Sequence, residues 1–236
     1  MKTISTHLRA FGLTALLIGS AGHAAARVIN HDSVVPFEPD VTDYQAFFQP
    51  RLDVTHGCVP FPAVNRQGDV SGGLKPSGSP NGGCSRNRGQ VYVRAKNYNG
   101  GCAVMYSWYF PKDEVSPGRG HRHDWENVVL FLSECSKSGG MRAISYSGHG
   151  GYTKFRRVPR KDSHPLVEYG TNGILNHQLF QTDRAGGFQP AIRWNGLTDA
   201  ARRTLNNHDF GDANVPMKDG NFDRNVEKAW TTSSVL

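Results

Sequence analysis

The stretch AVMYSWYFPKDEVSPGRGHRHDWE, from Ala103 to Glu126, decides the fold of this 236-residue chain. Its first eight residues, Ala103 to Phe110, carry no charge and are rich in aromatics, which predicts a buried strand ended by Pro111. A loop containing proline and glycine follows, and Trp125 to Leu132 predicts a second strand. Two strands joined by a short polar loop form a hairpin, so we expect the polar residues to gather at its closed end.

Four side chains near this end are candidate ligands for a divalent cation: Asp113, His121, Asp124 and Glu126. Asp124 and Glu126 are two residues apart in a predicted strand, so they point to the same face. Carboxylates suit Mg²⁺ or Ca²⁺, whereas a histidine would also suit zinc or manganese. His121 can join the site only if the backbone bends before Asp124, as the flanking glycines permit, and His123 would then hydrogen-bond within the structure. The alternative is that these charges only solvate the tip of the hairpin.

Residues 1–26 have the features of a secretory signal peptide. A basic start precedes an apolar core, Phe11 to Ile18, that is too short to span a bilayer, and Ala24 to Ala26 offers a small-residue cleavage site. A membrane anchor is the alternative, but no longer apolar run follows. We therefore expect a secreted, extracellular protein with one domain, residues 27–236, and no transmembrane helix.

The charge of the chain is modestly positive. The full sequence has a net charge of +7, and removal of the two basic residues in the signal leaves +5. This charge favours anionic surfaces such as phosphorylated headgroups or acidic polysaccharide. No nucleic-acid-binding motif accompanies it, so we expect no nucleic-acid partner.

Four cysteines in an exported chain predict two disulfides, for which three pairings are possible. Cys58 and Cys84 lie in a Gly- and Pro-rich region, residues 57–89, and a bridge there would restrain a long loop. Cys102 precedes the first strand of the hairpin and Cys135 follows the second, which brings these two positions side by side. We therefore favour the pairs Cys58–Cys84 and Cys102–Cys135. Zinc binding is the alternative, although no C-x-x-C spacing supports it.

The rest of the chain shows short periodic segments separated by turns. Alternating or apolar runs predict strands at residues 90–96, 142–147, 152–158 and 165–169. Helices are predicted after Asp40, where Tyr44, Phe47 and Phe48 lie at helical spacing in a core position, and over residues 198–205 and 226–230. This pattern indicates a mostly β, single-domain β-sandwich with peripheral helices.

Two further features have more than one interpretation. His149, between glycines, is expected in an exposed turn rather than in a site. A group of basic residues either blocks aggregation at an edge strand, which we favour, or forms a headgroup-binding patch. The members of this basic group are Lys154, Arg156, Arg157, Arg160 and Lys161.

The central stretch also resembles a known family. GHRHDWE, residues Gly120 to Glu126, matches the signature of the necrosis- and ethylene-inducing-peptide-1-like proteins, secreted cytolysins of plant-associated microbes. Met105 to Asp113 resembles the second well-marked segment of that family, in the same order and separation. The resemblance covers the mature chain from Asn30 to Arg202 and also supports the pair Cys58–Cys84. It implies a sandwich like those of the actinoporins and certain fungal lectins.

The same resemblance implies a function. Family members bind glycosylated inositol phosphoryl ceramide, a glycosphingolipid of plant plasma membranes, and damage the bilayer, which causes necrosis and immune responses. We accordingly expect a monomer in solution that acts at the membrane surface, with Mg²⁺ or Ca²⁺ helping to open a cavity for the terminal sugar. His121 would act directly or through a metal-bound water. The implied metal-site residues are Asp113, His121, Asp124 and Glu126, and the implied headgroup contacts are Asn176 and His177.

The chain departs from this family just before His177. Relatives often have a tryptophan and a proline there, where this chain has Gly173, Ile174 and Leu175. The departure leaves open a non-lytic member that binds glycan or acts as an elicitor, and the residues alone place His177 on a loop surface. A metal-dependent extracellular hydrolase is the enzymatic alternative. We expect no enzyme, because the sequence has no nucleophile elbow, no H-E-x-x-H and no acid/base carboxylate pair beyond the candidate ligands.

Overall fold

The computed structural model of the protein describes residues 25–173 and 176–232 and the backbone of Ser234–Val235. The predicted signal peptide lies outside this range except for its last two residues. Within the described residues, no helix is long and apolar enough to cross a membrane. The strands are β1 (Val28–Ile29), β2 (Arg51–Val54), β3 (Val70–Ser71), β4 (Val91–Tyr98), β5 (Gly101–Ser116), β6 (Arg119–Leu132), β7 (Met141–Gly148), β8 (Gly151–Phe155), β9 (Arg160–Lys161), β10 (His164–Gly170), β11 (Gln178–Gln181), β12 (Ala191–Arg193) and β13 (Ser234–Val235).

The helices lie near the two ends of the domain, as predicted. They are α1 (Asp43–Phe47), α2 (Asp199–Asn207) and α3 (Phe222–Thr231), with short 3-10 turns at His31–Ser33 and Trp194–Gly196. The Thr198 hydroxyl accepts a hydrogen bond from the Ala201 N–H (3.2 Å) and caps α2. The predicted core role of the α1 aromatics is only partly right, because Phe48 is buried whereas Phe47 is 40% exposed. Helix α3 begins before the predicted start at Val226.

The sheets form the predicted sandwich. The main sheet has the strand order β12-β4-β5-β6-β7-β8-β13, and its outer strands β12 and β13 pair in parallel with their neighbours. A smaller sheet, β11-β10-β2, packs on it through β11, which contacts β6 and β7. Tyr146 of β7 donates a hydrogen bond to the Leu166 carbonyl of β10 (3.1 Å), which joins the two sheets. Strand β9 pairs with β10, and β1 pairs with β3.

Strands β5 and β6 form the predicted hairpin, but Pro111 does not end its first strand. Strand β5 continues to Ser116 and pairs with Arg119, so the turn is only Pro117–Gly118. The paired positions Phe110 and Lys112 flank Pro111, which needs no N–H there, and its carbonyl accepts a hydrogen bond from the N–H of Leu74 (2.8 Å). The strand prediction was therefore wrong at its end, because proline interrupts a ladder only where the ladder needs its N–H.

Both predicted disulfides are confirmed. Cys58 and Cys84 are bridged with their Cα atoms 5.0 Å apart, and Cys102 and Cys135 with theirs 5.1 Å apart. The second bridge joins β5 to the segment after β6, as the hairpin geometry predicts. Residues 57–89 are mostly irregular, as expected, and contain the short β3.

Only part of the basic group lies in the edge-strand setting that we favoured. Strand β8 ends at Phe155, and β13 pairs with it at Lys154 and Phe155. The edge-strand interpretation is therefore wrong for Lys154, because β13 covers the edge of its strand. It is confirmed for Arg160 and Lys161, which form the exposed strand β9, paired with β10 alone among the described strands. The Lys154 ammonium lies over the Trp230 ring, while residues 156–159 leave the sheet before β9. His149 is exposed in the β7–β8 turn, as predicted.

Candidate functional site

The site lies where the closed end of the β5–β6 hairpin meets the segment between β10 and β11. Asp113, near the end of β5, is 1% exposed. It accepts hydrogen bonds from the backbone N–H of His177 (3.1 Å) and from Nδ1 of the same residue (2.6 Å). His177 is buried rather than on a loop surface, because its backbone and its ring both bind this carboxylate.

A column of four stacked rings supports this contact. Phe110 stacks on Tyr169 with ring centroids 3.7 Å apart, and Tyr169 stacks on His177 at 4.8 Å. His177 in turn stacks on His56 at 5.0 Å, and His56 Nδ1 lies 2.8 Å from His177 Nε2. We call these four residues the ring column. It fixes the orientation of the His177 ring toward Asp113 from both sides.

Asp124 and Glu126 lie on the same face of β6, as the two-residue spacing predicts. The Tyr169 hydroxyl donates to Asp124 Oδ2 (2.8 Å), and the Ser147 hydroxyl donates to Glu126 Oε2. Burial, followed by the nearby charge of Asp113, raises the pKa of Asp124 to about 7. Burial, followed by the charge of Asp124, raises the pKa of Glu126 well above its usual range. Three acids are thus gathered in a buried place where their charges oppose one another.

His121 faces this group with one ring nitrogen. Its Nδ1 lies 2.8 Å from the His123 carbonyl and donates to it, so in the neutral ring Nε2 carries the lone pair. Nε2 lies 3.6 Å from Asp113 Oδ2 and 3.5 Å from Asn176 Nδ2. The structure therefore brings His121 and Asn176 to the acidic group, and the partly exposed His121 ring lies on its solvent side.

The backbone bends at the point that the sequence requires. His123, directly before Asp124, has a φ of +61°, which is uncommon for a residue other than glycine. Phe110 and Asp113, three residues apart, both contact rings of the column, so regular alternation is broken between them. His123 itself is buried, and its Nδ1 lies 2.6 Å from the Tyr109 hydroxyl. Burial lowers the pKa of His123 to about 4, so its place is in the core.

The acidic group suits a hard cation by its chemistry. Three carboxylates and a histidine lone pair are the ligand types that Mg²⁺ or Ca²⁺ would meet in a partly hydrated site. No lysine or arginine of the described ranges forms an ion pair with Asp113, Asp124 or Glu126. The distances do not close into a coordination shell: residues 25–173 and 176–232 contain no set of three His, Cys, Asp or Glu arranged to hold a metal. A cation would have to draw these carboxylates together.

Three residues of the site were missed by sequence reasoning: Tyr169, His56 and Ser147. Each acts through a contact between distant segments, so periodicity carries no sign of it. The sequence offers one local signal, the glycine Gly57 directly after His56. In the structure Gly57 has a φ of +82°. A Cβ added at Gly57 would lie 2.6 Å from His177 Nε2, so the backbone here is shaped around that ring.

Comparison with known proteins identifies the family. A family model described as "Necrosis inducing protein (NPP1)" matches residues 42–229. The chain belongs to the NPP1 family of necrosis inducing proteins. It is 46% identical to "Necrosis-inducing protein NPP1" of Phytophthora nicotianae, with 87% of this chain and 92% of that protein covered. It is 45% identical to "NLP effector protein 10" of Phytophthora capsici, with the same coverage.

Solved structures of NPP1-family relatives share the fold. The structure described as "Toxin fold as basis for microbial attack and plant defense" has a TM-score of 0.81 and 46% identity, and covers 86% of this chain and 99% of its own. The structure of "NLPPya in complex with mannosamine" has a TM-score of 0.82 and 45% identity, and covers 87% and 100%. The structure of "non-toxic HaNLP3 protein" has a TM-score of 0.82 and 42% identity, and covers 86% and 100%. Toxic behaviour is therefore not a property of the fold alone.

Proposed function

We propose that this NPP1-family protein is a secreted, metal-dependent cytolysin of plant plasma membranes. It binds the sugar headgroup of glycosyl inositol phosphoryl ceramide as a monomer, disrupts the bilayer, and so triggers necrosis and immunity. It acts by binding rather than by catalysis. The observation that carries the proposal is the buried acidic group Asp113, Asp124 and Glu126. It forms no ion pair with a lysine or arginine of the described residues, and it faces Nε2 of His121.

Each residue of the site has a distinct task in this proposal. Asp113, His121, Asp124 and Glu126 would hold the divalent cation, Mg²⁺ or Ca²⁺, which supplies a positive centre for sugar hydroxyls. The ring of His177 is buried and held by Asp113 and the ring column, so it would contact the headgroup inside the cavity that the cation helps to open. Asn176 lies beside His121 at the exposed side, where its amide can donate to a sugar oxygen. The structures of NLPPya in complex with mannosamine and with glucosamine support a sugar-binding role.

A non-lytic role is the second candidate. The non-toxic HaNLP3 structure is about as similar to this chain as the toxin-fold structure is. The segment at Gly173 differs from the tryptophan and proline expected of lytic relatives, and its residues 174 and 175 lie outside the described part. In this alternative the protein binds the same headgroup or acts as an elicitor, but leaves the bilayer intact.

The test compares purified residues 27–236 with Asp113→Ala and Glu126→Ala. Each protein is infiltrated into dicot leaves and, in parallel, added to dye-loaded liposomes containing plant glycosyl inositol phosphoryl ceramide. We expect the wild type to cause necrosis and dye release, and both variants to lose at least about tenfold in potency, because each removes a charged ligand. A chelator should abolish the wild-type effect, and added Mg²⁺ or Ca²⁺ should restore it.

Glu134→Ala is the matched control, because Glu134 is an exposed acid that follows β6 and is not one of the site residues. Circular dichroism establishes that all variants are folded. Folded ligand variants that remain fully lytic, or a wild type insensitive to chelator, would contradict the metal-dependent mechanism. Headgroup binding without dye release would support the non-lytic role.

A further inference from the structure

A second concave surface lies outside the candidate site. It is a groove of about 1490 Å³ between the segment Phe155–Arg160, strand β10 and the residues after β11. Leu166 and Glu168 line its β10 side, and Gln181 to Arg184 line another wall. None of the candidate cation or headgroup residues lines this groove. We call it the arginine groove.

Positive charge dominates the arginine groove. Arg156, Arg157 and Arg160 line one wall, and Arg184 lines another. Arg184 is engaged by Asp53 (2.7 Å). The guanidinium groups of Arg157 and Arg160 are exposed, and neither has a hydrogen-bond or ion-pair partner among residues 25–173 and 176–232. Each offers five fixed donors in a planar fork that matches an oxyanion.

The fold accounts for only one of these two arginines. Charged residues often protect an exposed strand edge, as Arg160 does in β9, but Arg157 lies between β8 and β9, outside any strand. Like charges placed close together repel one another when nothing neutralises them. An anionic ligand from outside the chain would remove this repulsion.

The groove also contains hydrogen-bond acceptors, and these limit the chemical classes of ligand that it can bind. Glu168 and Asp183 line it together with the amide of Gln181 and the hydroxyl of Thr182. Glu168 already accepts hydrogen bonds from Arg184 (3.1 Å) and from Thr55 (2.8 Å), so its carboxylate is held in a fixed orientation. An anionic bilayer presents phosphate acceptors over a broad surface and would meet these acids unfavourably. An acidic glycan carries both carboxylates and hydroxyl donors, and a short chain of it fits a concave groove.

We propose that the arginine groove binds an acidic oligosaccharide chain of uronate residues. Arg157 and Arg160 pair with the carboxylates of the sugar, while Glu168 and Gln181 accept hydrogen bonds from its hydroxyls. This inference does not depend on the proposed function, because the groove and the cation site use different residues. It gives the protein a second ligand, of the kind found in acidic extracellular polysaccharides.

The test is a calorimetric titration of folded residues 27–236 with a short oligogalacturonate at low salt. We expect binding that weakens steeply as salt is added and that disappears when the carboxylates of the oligosaccharide are methyl-esterified. The double variant Arg157→Gln/Arg160→Gln should weaken binding at least about tenfold, since two charge-assisted pairs are lost. The matched control, Arg86→Gln/Arg203→Gln, removes the same charge from exposed positions outside the groove and should leave binding unchanged.

Three outcomes would overturn the inference. The first is an equal loss in both double variants, which would reduce the effect to net charge. The second is binding that esterification does not weaken. The third is binding to anionic phospholipid vesicles that requires Arg157 and Arg160 without any binding of oligogalacturonate, which would make this face a membrane-docking surface. Glu126→Ala should keep full oligogalacturonate binding, so failure of the cation-site proposal is seen separately.

Discussion

Two kinds of buried acid occupy the same end of the β5–β6 hairpin. Glu114 is 0% exposed and is fully compensated: Lys112 Nζ lies 2.5 Å away, and the backbone N–H groups of Gly78 (2.8 Å) and Gly118 (2.9 Å) also donate to it. Burial alone would raise the pKa of Glu114, but these hydrogen bonds outweigh burial and lower it to about 2. Asp124 and Glu126 are also buried, but their pKa values are raised.

This difference shows which of the buried acids remain able to bind a ligand. The charge of Glu114 is compensated inside the fold, where its hydrogen bonds connect the hairpin turn to the loop at Gly78. Asp124 and Glu126 have hydroxyl donors, and no lysine or arginine of the described residues forms an ion pair with them, so their carboxylates remain available to a ligand. Buried acids whose pKa values are raised are therefore the better functional candidates, and a buried acid with a lowered pKa is structural here.

The largest expected effect comes from Lys112→Met, which removes the compensation of Glu114. Breaking a buried ion pair leaves one uncompensated charge, so we expect a loss of about 3–5 kcal/mol in the free energy of unfolding. The loop at Ser79 should also loosen, because Lys112 Nζ donates to the Ser79 carbonyl (2.8 Å). Denaturant unfolding measures the first effect and hydrogen exchange the second.

Lys96→Met is the matched control for this prediction. Lys96 forms an ion pair with Asp223 at 2.8 Å, but both side chains are substantially exposed. The same substitution there should cost at most about 1 kcal/mol. Equal losses in the two variants would mean that burial does not distinguish the two pairs, and the comparison would fail.

The two kinds of acid should also give opposite dependences of stability on pH. The folded pKa of Asp124, about 7, lies above its ordinary value of 3.8, so in chelator its contribution to the unfolding free energy should fall as pH rises from about 4 to 7. Asp124→Asn should remove this contribution and stabilise the cation-free protein above pH 7, relative to wild type, by up to about 4 kcal/mol. The folded pKa of Glu114, about 2, lies below 4.5, so its contribution is lost as pH falls from about 4.5 through 2.

Thermal unfolding across this pH range, with chelator present throughout, measures the dependence of stability on pH in both the acid and the near-neutral regions. Glu114→Gln should reduce only the loss of stability at acid pH. Asp124→Asn should change only the dependence of stability on pH near neutrality. Because the lowered pKa of His123 makes the protein gain stability over part of this range, the test is the difference between wild type and Asp124→Asn. A difference that stays constant from pH 4 to 7 would contradict the raised pKa of Asp124.

Much of the fold was predictable because local patterns determine it. The uninterrupted apolar run up to Phe110 and the alternation after Gln90 predict strands, and the positions of Cys102 and Cys135 at the open end of a hairpin predict their bridge. The end of β5 was not predictable, since Pro111 is compatible with a strand only where its neighbours make the ladder bonds. Whether a proline lies at such a position depends on the partner strand.

The candidate site was predictable in its acids but not in their support. The two-residue spacing of Asp124 and Glu126 predicts a shared face, and the structure has it. The spacing cannot reveal that Tyr169, from another sheet, donates to Asp124, or that His56 stacks on His177. Such contacts join segments far apart in the chain, and no periodicity records them. Burial of His177 was missed for the same reason.

The ring column gives the finest test of the comparison, through Gly57. An alanine there must adopt a φ of +82°, and its Cβ would lie 2.6 Å from His177 Nε2. Gly220→Ala is the matched control, because Gly220 has a φ of +81° and open space around the added Cβ. Both variants should lose about 1–3 kcal/mol to backbone strain. Only Gly57→Ala should also displace the His177 ring from Asp113 and reduce dye release, while Gly220→Ala keeps it. If the two variants lose stability and activity to the same extent, the backbone at Gly57 serves only the fold. The position of the His177 ring beside Asp113 would then not be required for ligand binding by the acidic group.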